Sequence, residues 1–576
     1  MLKCLNHIRP LETVRDYSCN KGFLKTKAVS STTTTSTPRG FRDVLPEEAL
    51  WREQISSAVG ACFAQAGYLP VETPLLEMSD LLQDTDAASD VAFRLFDSDG
   101  ALLMLRPDVT LPVARMVATR LRGRQGPLRL RYNAPVMREC DALTGQPRQL
   151  TQLGVELIGV DGLEADAETL LLMARALEAA GLEGYVIAMG SARPLDVLLA
   201  CSGMPDEWCQ RARGLCQRCD LIGLAKLVDE ASEGLAPAIA DALLGLPRIR
   251  GGAEAVEAAR ALVEPCGCAQ ECRLDEVAEL LARAQAAGLK GEATVDFSVM
   301  GSFGYYTGMV LEAYLPRLGA QLGAGGRYDK MFERYGEPRC AAGFSLSLDC
   351  IQTALERSAD APRPLRVAVS KGSLFPGAVK LFEAAGLDVA NLADPGRQLI
   401  IRGKDVEYII VRPTDAPAFV AFGGADCGIC GRDSLIEADM DVLELSDLRF
   451  GVCHFVVAEP AGAHERVQEN YRRLGSVRVA TKYPRITRQH FARIGMEADV
   501  LKFHGNIELA PLVGMADCIV DITATGTTLR ENNLVVVDDV LDCTARFFAN
   551  PASARTDPRV FELAARLEAA AAATQE

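Results

Sequence analysis

Short, nearly unbroken apolar runs punctuate the C-terminal part of the chain: Leu365-Arg-Val-Ala-Val369, Tyr408-Ile-Ile-Val411 and Cys518-Ile-Val520. Runs of this length, rich in Val and Ile, predict parallel strands buried on both faces. Helical spacing follows in Arg559-Val-Phe-Glu-Leu-Ala-Ala-Arg-Leu567. The front half reads differently. Gln152-Leu-Gly-Val-Glu-Leu-Ile158 alternates, which predicts an antiparallel strand with one polar face. Residues four apart on a strand point the same way, so Gln152 and Glu156 are expected to meet one ligand. From Arg193 to Thr294, Ala, Leu and Glu recur at helical spacing, as in Leu274–Arg283, and predict a helical insertion over about 195–291.

Two stretches lack any period. Glu356–Pro364 is polar and holds two prolines, so 357–364 is expected to be a linker. Residues 1–38 carry six Lys/Arg and the run Ser30–Thr37, and are expected to form a disordered arm. Glu12 and Asp16 argue against an organelle transit peptide, and an extended start explains the arm better. The expected divisions are 1–38, 39–356, 357–364 and 365–576.

The strand at Cys518–Val520 ends on Asp521 and opens into the hydroxyl-rich turn Thr523-Ala-Thr-Gly-Thr-Thr528 before a helical pattern begins. Backbone N–H groups, threonine hydroxyls and a helix N-terminus gathered in one volume suit a phosphate. Asp521 is placed to take ribose hydroxyls or a metal. Taken alone, the same turn would also serve as a helix cap.

Composition narrows the function. At 576 residues the chain should hold two to four domains. A net charge of −16 disfavours stable nucleic-acid binding, since such binders carry a basic footprint. No apolar run reaches membrane-spanning length. The 18 cysteines follow no regular framework and read as reduced thiols of a cytoplasmic protein. Cys216-x-x-Cys219 facing Cys268-x-x-x-Cys272 would offer a zinc site, but the irregular spacing within Cys209–Cys272 fits ordinary helices better.

Val367-Ala-Val-Ser-Lys-Gly-Ser-Leu374, Gly423-Gly-Ala-Asp-Cys-Gly-Ile429, Arg478-Val-Ala-Thr-Lys-Tyr-Pro484, Lys502-Phe-His-Gly-Asn-Ile-Glu-Leu-Ala-Pro511 and the Thr-rich turn occur in that order. Together they resemble the catalytic subunit of ATP phosphoribosyltransferase over about residues 365–556. The resemblance implies two α/β lobes hinged around a cleft, like periplasmic solute-binding proteins. It also implies the first committed step of histidine biosynthesis: ATP and phosphoribosyl pyrophosphate as substrates, with Mg²⁺. Asp521, Lys371 and Glu508 are then the catalytic candidates. Thr523, Thr525, Gly526, Thr527 and Thr528 would hold the sugar phosphate, and Arg478 and Lys482 the ATP or pyrophosphate charge. A solvated lysine is the plain alternative for Lys371, as a salt bridge to Glu508 is for Arg478 and Lys482. The family's usual arginine after the Lys-Gly pair is Ser373 here.

The front half resembles the histidyl-tRNA synthetase core, a class II synthetase fold. The matching blocks are Val71–Glu77, Leu105-Arg-Pro-Asp-Val-Thr110, Met137-Arg-Glu139, Arg148–Glu156, Gly304–Gly308, Gly323–Asp329 and Gly343–Asp349. Two departures matter. Gly301 and Cys350 stand where the synthetases carry arginines, and cannot neutralise phosphate during adenylate formation. With no room for an anticodon-binding domain before residue 365, an active synthetase is disfavoured. The resemblance is instead to the regulatory subunit of short-form ATP phosphoribosyltransferase, a synthetase paralogue. That implies a histidine pocket at Thr73, Arg138, Gln152, Glu156, Tyr305 and Tyr306, histidine as feedback inhibitor, and a homo-oligomer in which these halves dimerise. The same side chains would otherwise be polar core groups satisfying one another. A two-lobed sensor on an inactive transferase is the non-enzyme rival.

Overall fold

The structure, a computed structural model, describes residues 36–82, 91–140, 146–232, 234–300, 306–356, 363–523 and 526–573. Most of the arm and of the linker, with Gly301, Tyr305 and Thr525, lie outside the described residues.

The front half is built on a nine-stranded sheet. Its centre is the run Leu128–Met137, Gln149–Ile158, Ala341–Ser347, Gln321–Arg327, Met309–Tyr314 and Val186–Ser191, each antiparallel to the next. Gln149–Ile158 is such a strand, but its polar face is not solvated: Gln152 and Glu156 are buried, Glu156 to 1 % exposure. Leu153, Val155 and Leu157 face the main core, packed beneath the helices Pro46–Gln65 and Leu163–Ala179. Six helices occupy 193–286, ahead of the strand Glu292–Asp296 that rejoins the sheet.

The back half has two sheets. In the first lobe Leu365–Ser370 lies between Val406–Val411 and Cys427–Gly431, both parallel to it, and Ala545–Ala549 and Leu443–Asp447 extend the sheet. In the second, Cys518–Thr523 is flanked by the parallel strand Val477–Thr481 and the antiparallel strand Cys453–Pro460. The expected parallel strand is therefore parallel on one side only. The chain enters the second lobe between Asp447 and Cys453 and returns between Cys543 and Ala545. Glu437 of the first lobe braces the second, its carboxylate accepting from the Arg485 and Ile486 backbone N–H groups at 3.0–3.2 Å.

The front half docks on the first lobe. Arg555, at 5 % side-chain exposure, stands 3.7 Å from Asp296 and 3.6 Å from Glu312 of the front half. The Arg250 guanidinium lies 3.0 Å from the Phe561 ring centroid, and Cys219 is buried within the first lobe's core. Gly319 and Gly423 touch across the junction, both at positive φ, and a Cβ on Gly319 would come within 2.7 Å of the Gly423 Cα. Only glycine tolerates both the conformation and the approach.

Candidate active site and effector cavity

At the carboxyl ends of the second lobe's parallel strands, register alone creates an ion pair. Thr481 is opposite Val520, so the next residues, Lys482 and Asp521, meet as the strands finish. Lys482 Nζ stands 3.3 Å from Asp521 Oδ2. Burial is the main influence on Asp521 and pushes its carboxyl up. Lys482 and the Ile522 N–H oppose this, and nearby Glu508 adds to it. The structure thus brings Asp521, Lys482 and Glu508 together. A carboxylate partly matched by one lysine and facing a second carboxylate suits a polyhydroxyl ligand that brings its own cation.

The Gly526 N–H donates to Thr523 Oγ1 at 2.8 Å, with Gly526 at φ +69°. Thr527 and Thr528 are exposed. The helix that follows, Thr527–Glu531, has five residues, so the expected helix dipole contributes little. Hydroxyls and backbone N–H groups remain. Arg530, unassigned by the sequence, bends back over the turn, its Nη2 3.3 Å from Thr527 Oγ1. Its place at the end of the Thr-rich motif was the available signal.

Arg478 is a correction. It stands at the opposite end of the same strand pair, where its Nε and Nη2 donate to both oxygens of Asp517 at 3.1 and 3.0 Å. Four residues of extended chain separate it from Lys482, roughly 13 Å at about 3.3 Å per residue. Its salt-bridge partner is Asp517, not Glu508. Lys371 is exposed just past the strand Leu365–Ser370, in the first lobe.

A cavity of about 550 Å³ opens in the front half, walled by Arg138, Gln152 and Tyr306 among the expected residues. Gly323, Gly325 and Gly343 leave the space, since their strands carry no side chains there. Glu156 lies behind the wall, accepting from Tyr132 Oη at 3.2 Å and from Tyr328 Oη. Burial pushes its carboxyl up to about 8 against these hydrogen bonds. Gln152 Oε1 and Asp108 Oδ2 are buried without hydrogen-bond partners among the described residues. Thr73 is a second correction: it does not line the cavity, and its hydroxyl accepts from Arg106 Nη1 at 2.9 Å. Asp108 and Thr110 line the cavity unforeseen, although the Leu105–Thr110 block contained them. Ala421, Phe422 and Asp441 of the back half complete the wall. The weighed cysteine pairing is not formed: Cys268 contacts Cys201 and Cys272, while Cys219 lies beside Arg555 and Ser298.

Residues 40–351 match the family model for histidyl-tRNA synthetase, and residues 412–569 that for ATP phosphoribosyltransferase. An ATP phosphoribosyltransferase from Rubrobacter xylanophilus is 49% identical over 193 residues, covering 34% of this chain and 89% of the relative. The chain belongs to the ATP phosphoribosyltransferase family. The ATP phosphoribosyltransferase regulatory subunit of Moorella thermoacetica is 35% identical over 372 residues, covering 64% of this chain and 90% of that one. A crystal structure titled as an ATP phosphoribosyltransferase regulatory subunit/histidyl-tRNA synthetase, from Bacillus halodurans, aligns with TM-score 0.51 and 29% identity. It covers 66% of this chain and all of that one. Regulatory-type and catalytic-type segments of this family are therefore joined in one polypeptide.

Proposed function

We propose that the second-lobe pocket is where this enzyme, an ATP phosphoribosyltransferase, joins N1 of ATP to C1 of phosphoribosyl pyrophosphate. The N1 lone pair forms the new bond, and the pair of the breaking C1–O bond leaves with pyrophosphate. The observation that carries the reading is the Lys482–Asp521 pair beside the Thr523–Thr528 turn. Asp521 takes the ribose hydroxyls as C1 gains positive character. Gly526, Thr523, Thr527 and Thr528, with Thr525, take the 5′-phosphate, and Arg530 adds charge. Lys482 both holds Asp521 and faces the departing pyrophosphate, whose developing charge it stabilises. Lys371 approaches from the first lobe, and Glu508 positions the adenine or the cation.

The reaction needs a divalent metal, and the donor set fits Mg²⁺. That ion is commonly held by one or two carboxylates plus substrate phosphates, which Asp521 and Glu508 can supply beside pyrophosphate. Bound there, it would neutralise the leaving group.

The front cavity is proposed to take histidine. Arg138 meets its carboxylate, while Gln152 and Asp108 receive its ammonium and imidazole groups, with Glu156 behind them adding negative charge when ionised. The two unpartnered buried oxygens support this, because such atoms are costly unless a ligand satisfies them. Self-association through the front halves is supported by the three-stranded sheet at Leu76–Met78, Arg94–Phe96 and Leu102–Leu105, where Leu76, Met78, Leu95 and Phe96 are exposed, Phe96 to 75%. Among the described residues no helix is long and apolar enough to cross a membrane.

Formation of phosphoribosyl-ATP, followed by ultraviolet absorbance, tests the reading. The full chain should turn over, and Asp521→Ala and Thr527→Val should lose most of that rate while staying folded. Near-normal kinetics in both variants would remove this pocket from the reaction.

A further inference from the structure

Cys453 is the first residue of a strand in the second lobe, and Cys543 is the last residue of another. They stand directly opposite each other in the antiparallel register, at the edge where the chain passes between lobes. Opposed antiparallel residues have Cα atoms about 4.5 or 5.5 Å apart, depending on the hydrogen-bonding position. Both spacings fall inside the range a disulfide spans, about 4.4–6.8 Å. The side chains lie on one face and pack into the same cluster of the second lobe's core. Both are free thiols; Cys543 is buried and Cys453 only partly so.

That asymmetry assigns roles. Cys453 is the thiol that solvent and a small oxidant can reach, whereas Cys543 is closed off in the core. Access makes Cys453 the attacking sulfur.

The surroundings give the pair leverage. Thr544, between Cys543 and the return strand, donates to Asp447 Oδ1 at 2.7 Å, and the Ala545 N–H donates to the Phe450 carbonyl at 2.9 Å. The outward crossing contains Arg449 at φ +56° and Gly451 at φ +66°, two left-handed residues within three positions. Few-residue segments of this kind absorb the backbone changes of a hinge. Tyr483, the residue after Lys482, packs against the same core cluster as the two cysteines.

We propose that Cys453 and Cys543 form a reversible regulatory disulfide that ties the two inter-lobe crossings together and slows phosphoribosyl transfer. The oxidant is a low-molecular-weight disulfide such as oxidised glutathione. The Cys453 thiolate attacks one of its sulfurs and expels a glutathione thiolate, giving a mixed disulfide. The Cys543 sulfur then attacks Cys453 Sγ, expels the second glutathione, and leaves one protein S–S bond. Two glutathione thiols take up the two protons. The consequence for rate rests on the proposed reading that residues of both lobes act on one substrate pair. Reversible disulfides of this kind suit a reducing compartment, where a permanent one would not persist.

The test equilibrates the full chain in graded mixtures of reduced and oxidised glutathione. Turnover is measured while free thiols are alkylated and mapped by mass spectrometry. A Cys453–Cys543 cross-linked peptide should appear as turnover falls severalfold, and dithiothreitol should reverse both. Cys453→Ser should keep the reduced-state rate and lose the sensitivity. Full alkylation of both cysteines at the most oxidising ratio, a cross-link without loss of rate, or a Cys453→Ser variant as sensitive as the parent would each overturn the proposal. Absent turnover in the fully reduced chain would instead count against the proposed active site.

Discussion

The side-chain amide of Asn550 reaches across the junction between the two halves and donates to the Gly319 carbonyl at 3.1 Å. The same nitrogen serves the carbonyls of Val420 and Ala421 at 3.0 and 3.1 Å, and Asn550 Oδ1 caps the following helix by accepting from the Ser553 N–H. One residue at 1 % exposure thus joins the wall of the front-half cavity to the first lobe. Asn550→Ala leaves buried carbonyls unmatched and removes a cap, which together should cost about 2–4 kcal/mol. Urea denaturation should show the loss, and a change under about 0.5 kcal/mol would place the bond outside the stabilising interface.

Arg555 is the charged counterpart of that junction. Replacing it by Met leaves Asp296 and Glu312 buried opposite an apolar chain. Removing one partner of a buried ion cluster typically costs about 3–5 kcal/mol. Thermal unfolding should drop accordingly, and Arg555→Lys should recover part of it.

On the proposed reading, Arg478 serves stability and Lys482 serves chemistry. Lys482→Ala should lower kcat/KM by about 10²-fold or more, the scale of losing one preorganised group that stabilises transition-state charge. Arg478→Ala should leave turnover close to normal. It should cost about 1–3 kcal/mol of stability, because Asp517 loses its bidentate partner. Equal kinetic losses in the two variants would contradict the register argument.

Much of this was legible in the sequence. The buried strand carrying Asp521 and the hydroxyl-rich stretch after it are local features that pattern carries, although the strand runs two residues further, to Thr523. What pattern could not supply was register. Whether Arg478 or Lys482 faces the ligand depends on how Val477–Thr481 lies beside Cys518–Thr523, a pairing 39 residues apart. The contact of Thr73 with Arg106, 33 residues on, is likewise set by tertiary packing that no local pattern announces. Asn550, Arg555 and the Gly319–Gly423 contact act across the halves, and no periodicity announces such contacts.

Glu156 sets a pH dependence. Burial pushes its carboxyl up to about 8 in the folded protein, against 4.5 as a free side chain. Between those values the folded state binds more protons than the unfolded state, so stability falls as pH rises through this window. Melting temperatures across it should decline less steeply in Glu156→Gln. A cationic ligand favours the ionised form, so histidine binding should release protons. Calorimetry in two buffers of different ionisation enthalpy should detect the release in the parent protein and a smaller one in Glu156→Gln. Identical proton counts would remove Glu156 from the effector site.

The most direct test is calorimetric titration of phosphoribosyl pyrophosphate, with Mg²⁺ present, into the full chain and into Asp521→Ala. Saturable binding by the parent, weakened by at least about tenfold in the variant, is the predicted result, roughly the 1.4 kcal/mol or more expected of a lost charge-assisted contact. Equal affinity in both proteins, or no uptake by the parent, would contradict a sugar-phosphate site at the end of the strand Cys518–Thr523.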